Sequence, residues 1–537
     1  MKFFVVFTID ISNEGTQPIF IGCKEGSQPQ IISLDTIDFK VTELIVFNAS
    51  PLIDYLRQNK IDLPKGFIDV FQIYKLIKGK PTRYHRHSEP QVLWNIFNEF
   101  IEDKEELKRV IDTLNSSSKK IIKTKAENNL LLFASYLKQM YSLLLIELTN
   151  KGESDRYENI EKPFNNILAS RQYQGIFLSQ KTLHEKIEVI SKELNELNKR
   201  IRYEHNIFNP QNTSEVKSAL QKNNFAYLSR IVKAVDKKSF WNFVKTGSEQ
   251  NEFLKLLYDA YRISFDKNSL VKIIVEDDGK VYPVFDCCGT VTSRTQVRMP
   301  HIQQLKKTSR DIFSAKENYT LLYADYSQFE PGILANLAED KKLIECYNQE
   351  DLYTSLSIEL FGNTDLRPFC KIIFLSFMYG MSSTGLENLV KDFFNEKGIG
   401  KKEELQNFFG KFTNLIPYKA EQQEIAFREK RICSSLGNYR NFDTAKTSKH
   451  LPNKFKRWVL SQKVQGTASL ILKTAIMNCC RDAEIEFLIP MHDAALFQVP
   501  TELIEQKKEI IKKEFENAML LYCPKLKPKV VFKKFTD

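Results

Sequence analysis

Two short apolar runs, each ending on an aspartate, constrain this chain more than any other feature. Tyr319-Thr320-Leu321-Leu322-Tyr323-Ala324 reads as a strand that stops at Asp325. Glu486-Phe487-Leu488-Ile489-Pro490-Met491 reads as a second strand that runs into His492-Asp493, and Ala494 to Val499 leads away again. That second element has the pattern of a β-hairpin with a carboxylate at its tip. The two aspartates are 168 residues apart. Asp is a preferred turn residue, so each alone is an ordinary strand terminus. A sheet that brought both ends together would be a site for hard cations. Two-metal phosphoryl transfer needs rigid carboxylate oxygens that hold ions ~4 Å apart.

At 537 residues the chain exceeds what one core supports and predicts roughly three or four domains. Hydrophobic residues make up 42% and charged residues 27%, with 18 Pro and 19 Gly, which excludes wholesale disorder. The richest apolar stretch, Leu130 to Leu148, is interrupted by Lys138 and polar residues. It predicts a buried helix, with no membrane partner. The opening Met1-Lys2-Phe3-Phe4-Val5-Val6-Phe7 is cut short by Asp10 and has no small-residue cleavage site, so a strand is expected instead of a leader. A net charge of +11 is compatible with a polyanionic partner and does not demand one. The nine Cys show no C-x-x-C spacing, and the adjacent pairs Cys287-Cys288 and Cys479-Cys480 do not make ordinary zinc sites. They read as buried, reduced thiols in a cytosolic protein.

Phe3 to Ile11 and Thr42 to Phe47 have the pattern of buried strands, and Asn129 to Leu148 that of a buried helix. Together they predict a small α/β domain over residues 1–150. The polar stretch Lys151 to Glu161 reads as a linker. Beyond it the chain is mostly helical, and Leu183, Ile187, Ile190, Leu194, Leu197 and Ile201 recur at alternating steps of four and three. One long amphipathic helix with a solvated charged face follows from that spacing. No repeat at a fixed period is visible, so a solenoid is not favoured. The run Arg83-Tyr84-His85-Arg86-His87 reads as a solvated loop, since no third ligand accompanies its His pair.

Between the two aspartates lies a cationic helix. Arg367, Lys371, Leu375 and Tyr379 recur every four residues and share one slowly drifting face. Pro368 suits the first turn, and Asn363, Thr364 or Asp365 is placed to cap it. Two cations one turn apart suit a triphosphate, and an aromatic further along suits a base. Surface salt bridging and core packing are the ordinary alternatives for the same residues.

The motifs in order resemble those of family A DNA polymerases, the DNA polymerase I type. Asp325-Tyr326-Ser327-Gln328-Phe329-Glu330-Pro331-Gly332-Ile333-Leu334-Ala335 resembles the first palm motif. Arg367-x3-Lys371-x7-Tyr379-Gly380 resembles the fingers helix, and Met491-His492-Asp493 resembles the third motif. Asp351-Leu352-Tyr353, Gln465-Gly466-Thr467-Ala468, Thr292-Ser293-Arg294 and Pro300-His301-Ile302-Gln303-Gln304 also fit. The resemblance spans about residues 165 to 535.

It implies an α/β and α+β multidomain fold, a right-hand polymerase with palm, fingers and thumb. A small RNase H-like α/β domain, exonuclease-like, precedes it. The expected divisions are 1–150 exonuclease-like, 162–285 thumb, 286–345 palm, 346–430 fingers and 431–537 palm again. It also implies primer-template DNA and dNTPs as partners and two Mg²⁺ ions as cofactors, with Mn²⁺ a substitute. Asp325 and Asp493 would hold the metals, with the backbone carbonyl of Tyr326. Arg367 and Lys371 would neutralise the triphosphate, and Lys371 would pass a proton to the leaving group. Glu330 would exclude a ribose 2′-hydroxyl, Tyr379 would pack beneath the nascent base pair, and Gln328, Tyr353 and Leu375 would complete the nucleotide site. Arg294, Gln303, Arg440, Gln465 and His492 would contact primer-template DNA by shape, not by sequence.

The departures from the family pattern are specific. Leu375 stands where the family has an aromatic, Ala494 where it has Glu, Tyr353 where it has His and Gly332 where it has Arg. The first 150 residues resemble the family's 3′–5′ exonuclease domain with its chemistry removed. Asp10 remains, but Ser12, Leu52 and Met140 occupy the other carboxylate positions, so no proofreading is expected. Three functions compete: a proofreading-deficient template-directed DNA polymerase, a polymerase that copies RNA or extends ends without a template, and a silent DNA-binding scaffold. Retention of Asp325, Asp493, Arg367 and Lys371 favours an enzyme over the scaffold.

Overall fold

The structure, a computed structural model, describes residues 2–12, 15–79, 89–114, 123–222, 229–234, 236–248, 251–349, 351–394, 401–441 and 453–536. The run from Arg83 to His87 lies outside the described residues. The chain divides into two compact units. One comprises Met1–Gln174, Phe285–Gln296 and Leu322–Lys533, and the other Gly175–Val284, Val297–Leu321 and Lys534–Asp537.

The first unit opens with a five-stranded sheet. Its strands are β1 (Lys2–Ser12), β2 (Gly15–Lys24), β3 (Gln30–Ile31), β4 (Glu43–Val46) and β5 (Gly66–Asp69). Their spatial order is β3-β2-β1-β4-β5, with β1 antiparallel to β2 and parallel to β4. Both faces of β1 are covered, which is why its opening run is continuously apolar. Phe3 and Val5 pack with Leu52, Ile53 and Leu56 of the helix Ser50–Gln58. Phe4 and Val6 share the opposite core with Leu137, Met140 and Tyr141 of the helix Lys123–Asn150. That helix is, among the described residues, the one long and apolar enough to cross a membrane. Here Leu130, Phe133, Leu137, Met140, Leu144 and Leu148 are buried in protein.

Lys151 to Glu161 is not a solvated linker. Ser154–Arg156 forms a helical turn, Tyr157–Glu161 a π-helical one, and both run into the helix Lys162–Gln174. Glu153, Arg156 and Glu161 are at most 2% exposed. The Arg156 guanidinium donates to Glu161 Oε1 (2.9 Å), Glu153 Oε2 (2.9 Å) and Ser293 Oγ (2.7 Å). Lys473 Nζ donates to Glu161 Oε2 at 2.6 Å. Two carboxylates and two cations neutralise one another out of water, and a polar composition alone cannot distinguish that from a wet loop. Burial pushes the Glu161 carboxyl up, but Lys473 and then Arg156 more than reverse this and hold it at about 2. Its folded-state value lies below its unfolded one. Its contribution to stability is therefore complete above about pH 5 and is lost as the pH falls toward 2. The Cys287 and Cys288 thiols donate to the same Oε2 at 3.1 and 3.4 Å. Glu161, Cys287 and Cys288 lie close enough to share a metal ion, but Lys473 and Arg156 already engage both carboxylate oxygens.

A second sheet carries the two aspartates. Its strands run in the order Glu486–Pro490, Ala494–Pro500, Tyr319–Tyr326 and Val530–Lys533. The first two form the antiparallel hairpin that the sequence predicts. Helix Ile504–Tyr522 packs on this sheet and helix Asn453–Cys479 packs on that helix, and Tyr326 donates its hydroxyl to the Phe515 carbonyl at 2.6 Å. In the other unit, helix Gln180–His205 packs on Glu252–Val271. Leu194 and Ile201 enter its core with Val216, Phe240, Leu254 and Leu257. Ser179 caps the first of these helices by accepting from the Thr182 N–H.

Removing one member of the buried cluster of two carboxylates and two cations leaves one buried charge uncompensated. Lys473→Met should therefore destabilise the folded chain by about 3–5 kcal/mol, read as a lower urea midpoint. The double variant Glu161→Gln/Lys473→Met, which removes both charges, should recover a large part of that loss.

Candidate active site

The two strand ends meet through the backbone. The N–H of Tyr326, one residue past Asp325, donates to the carbonyl of Asp493 at 3.0 Å, and the Met491 N–H closes the hairpin tip on the Ala494 carbonyl at 2.8 Å. Asp325, on its strand, and Asp493, in the turn that enters the neighbouring strand, are thereby held together, although 168 residues separate them in the chain. Asp493 Oδ1 is shut off from solvent and has no hydrogen-bond donor among the described residues, the nearest cation being Arg294 Nη2 at 3.6 Å. The side chain as a whole remains 38% exposed, so the carboxylate is reachable from one side. Burial pushes the Asp493 carboxyl up to about 6; Arg294 pulls against this, Glu330 and Asp325 add to it, and Lys371 opposes it.

A chain of polar contacts runs from this carboxylate. Arg294 Nη2 also donates to Glu330 Oε1, and the Tyr379 hydroxyl donates to Glu330 Oε2. Gln465 Nε2 reaches the Tyr379 oxygen at 3.5 Å. Glu330 is thus fixed from both sides, in the first turn of the helix Phe329–Leu337. Burial and the Glu330 charge together push the Tyr379 phenol well above its ordinary pKa, so it stays a donor.

The cationic helix spans Arg367–Met378, with Tyr379 as its C-terminal cap. Its N-terminus is not capped by Asn363, Thr364 or Asp365 side chains. Asn363 Oδ1 instead accepts from the Asp365 N–H within the turn, and the Arg367 N–H donates to the Thr364 carbonyl. Arg367 grips Asp351 through two hydrogen bonds, Nε to Oδ1 at 3.1 Å and Nη2 to Oδ2 at 2.7 Å. Tyr353 lies buried beneath both cations, 5.4 Å from the Arg367 guanidinium and 5.9 Å from Lys371 Nζ. Lys371 is exposed and makes no hydrogen bond or ion pair among the described residues. Leu375 is half-buried on the same helix.

The other expected site residues stand in different surroundings. Gln328 has left-handed backbone (φ 52°) at the start of its helix, and its Oε1 accepts from the Leu352 N–H at 2.9 Å. Its side chain therefore ties two elements together. His492 is exposed at the hairpin tip. Arg440 lies over the Trp458 ring, 3.2 Å from the centroid, and burial pushes its pKa down to about 10. Gln303 belongs to the second unit, where Oε1 accepts from the Val297 N–H at 3.4 Å.

Sequence reasoning missed two members of the site. Asp351 was legible only as part of a motif, and its pairing with Arg367 crosses between helices. Lys533 donates to Asp325 Oδ2 at 2.9 Å. Its signal lies in strand pairing, where Val531 is opposite Asp325 and Lys533 opposite Tyr323, which no local pattern reveals. Hard carboxylate oxygens on a rigid sheet, one of them buried and without a donor, fit a divalent metal ion.

The model of DNA polymerase family A matches residues 180–531, more than half of the chain. The chain belongs to DNA polymerase family A. DNA polymerase I of Caldicellulosiruptor bescii is 25% identical over 431 residues, covering 72% of this chain and 48% of that protein. DNA polymerase I of Bacillus subtilis is 24% identical over 422 residues, covering 71% and 46%. The chain spans about half the length of these curated relatives. The polymerase domain of Pol1 from M. smegmatis, solved in complex with DNA primer-template and dNTP, superposes with a TM-score of 0.78 at 18% identity. That match covers 99% of this chain and 95% of the other.

A polyphosphate that uses Arg367 must compete with Asp351. Asp351→Asn keeps a good cap for the helix Leu352–Phe361 and removes the charge. Inorganic tripolyphosphate should then bind about two- to fivefold more tightly by calorimetry, the scale of an exposed ion pair.

Proposed function

We propose that this chain is a template-directed DNA polymerase that adds dNTPs to a primer 3′ end and lacks proofreading. The observation that carries this reading is the meeting of Asp325 and Asp493 in one site where Lys371 and Arg294 also act on Asp493. The M. smegmatis neighbour, with its primer-template and dNTP, supports the same partners for this chain.

Asp325, Asp493 and the Tyr326 carbonyl would hold two Mg²⁺ ions, which when bound polarise the attacking and leaving oxygens of phosphoryl transfer. Arg367 and Lys371 would bind the triphosphate, and Lys371, exposed and without a hydrogen bond or ion pair among the described residues, would give a proton to the pyrophosphate leaving group. Glu330, clamped by Arg294 and Tyr379, occupies a fixed position against the sugar and excludes a 2′-hydroxyl by steric and desolvation cost. Tyr379 supports the nascent base pair. Arg294, Gln303, Arg440, Gln465 and His492 contact the primer-template by shape.

The amino-terminal domain supplies no exonuclease site in this reading. Leu52 and Met140, where carboxylates would be needed, are buried in apolar cores. Asp10 and Ser12 lie on β1, opposite Gln17 and Gly15, with side chains outside those described.

Primer extension tests the proposal. Wild-type protein should extend a DNA primer on a DNA template in Mg²⁺ and should not shorten a mismatched 3′ end. Asp325→Ala and Asp493→Ala should each abolish incorporation while retaining primer-template binding in a filter or anisotropy assay. Extension of equal efficiency on an RNA template, or with no template, would redefine the substrate. Shortening of the primer that persists in Asp325→Ala would restore the exonuclease.

Sugar choice is a separate test. A fixed steric and polar barrier is worth discrimination of roughly 10² to 10⁴ against rNTPs. Glu330→Ala should remove most of that preference in single-nucleotide incorporation. Leu375→Phe should instead lower the KM for dNTPs with little change in sugar choice, because it adds a flat surface without touching the barrier.

A further inference from the structure

We propose that Lys533 is a resident counter-ion of the metal site, which a divalent cation must displace from Asp325. The inference rests on the metal-dependent reading given above. Lys533 ends the edge strand Val530–Lys533, and its ammonium donates to Asp325 Oδ2 at 2.9 Å. The antiparallel register puts Val531 opposite Asp325, so Lys533, two residues on, projects from the same face of the sheet and reaches Asp325 diagonally. Its side chain is 45% exposed and that of Asp325 20%, so the pair sits at the mouth of the site and can open without disturbing the core.

Charge bookkeeping around the two strand ends explains what such a lysine does. Ala494 leaves Asp325 and Asp493 as the carboxylates at the strand ends, with Glu330 close enough to raise the Asp493 pKa. Without a metal these negative charges repel one another across a partly buried site. Lys533 neutralises one of them. A divalent ion arriving at Asp325 meets an ammonium at one of its donor oxygens, and binding becomes an exchange of cations. The site is consequently calmer when empty and weaker for metal than two bare carboxylates would be. This distinguishes Lys533 from Arg294, which addresses Glu330 as well as Asp493 and has no contact with Asp325 among the described residues.

The experiment measures Mn²⁺ binding to the full chain without DNA or nucleotide, by the electron paramagnetic resonance signal of free Mn²⁺. Wild type is compared with Lys533→Met, Lys533→Arg and Asp325→Asn. Removing a unit positive charge beside the ion should tighten Mn²⁺ binding on the order of tenfold in Lys533→Met, and this gain should shrink as salt is raised. Lys533→Arg should keep near wild-type affinity, which a general loosening of the strand would not produce. Metal-free Lys533→Met should also unfold at a lower temperature than wild type at low salt and regain the difference on adding Mn²⁺. Loss of binding in Asp325→Asn together with unchanged or weaker binding in Lys533→Met overturns the counter-ion role alone. Unchanged binding in Asp325→Asn overturns the metal-site reading and this inference with it.

Discussion

Four buried charges, Glu153, Arg156, Glu161 and Lys473, hold the first unit in register. Arg156 binds Ser293 Oγ, and Ser293 in turn donates to Asn438 Oδ1 at 3.0 Å and accepts at its carbonyl from Ser469 at 2.7 Å. Glu153 Oε1 accepts from the Tyr439 N–H at 3.0 Å. The turn carrying Arg294, the segment leading into the short strand Arg440–Asn441 and the helix carrying Gln465 are therefore all anchored to one cluster. Buried ion pairs are weak contributors to stability when compared with apolar packing. Their directional hydrogen bonds nevertheless fix orientation, and three site-bearing segments here depend on that orientation.

The same matching of charges recurs within the site. Asp325 is paired with Lys533, Arg367 with Asp351, and Glu330 with Arg294 and Tyr379. Lys371 and Asp493 Oδ1 are left without hydrogen-bond partners among the described residues. A site preorganised for highly charged ligands would repel itself when empty unless its charges were matched internally. In the proposed function, a charged ligand would exchange these internal partners for its own, which would moderate its affinity.

The strands Tyr319–Tyr326 and Glu486–Pro490 were legible because apolar runs that lead to a carboxylate report the element and, to within a few residues, its terminus. The four-residue spacing of Arg367, Lys371, Leu375 and Tyr379 likewise set out a helical face directly. Three features were not legible, for physical reasons. Glu153 to Glu161 has the composition of a solvated linker, and only the position of Lys473, more than three hundred residues later, makes it a buried cluster. The start of the cationic helix offers three capping side chains, yet Asn363 satisfies a neighbour in its own turn. Lys533 depends on strand register, which a short edge strand does not encode locally.

Departures from the family pattern read differently once their neighbours are known. A side chain at Gly332 would meet the Tyr347 ring, whose nearest atom lies 2.7 Å from where a Cβ would stand. Tyr347 is fully buried there, so the space an arginine needs is filled by an aromatic from the helix Lys341–Gln349. The amino-terminal domain also packs against segments that carry site residues. Its helix Val70–Lys78 sends Lys75 to Asp286, a buried pair at 2.6 Å, and Gly79 follows it with left-handed backbone (φ 56°). A Cβ at Gly79 would stand 2.2 Å from the Tyr439 carbonyl, one residue before Arg440. Asp286 and Tyr439 each belong to a segment that carries a DNA-facing candidate. The amino-terminal domain thus bears on the geometry of the site through an ion pair and a backbone contact. Those contacts depend on the fold of the domain, whatever chemistry its own residues carry.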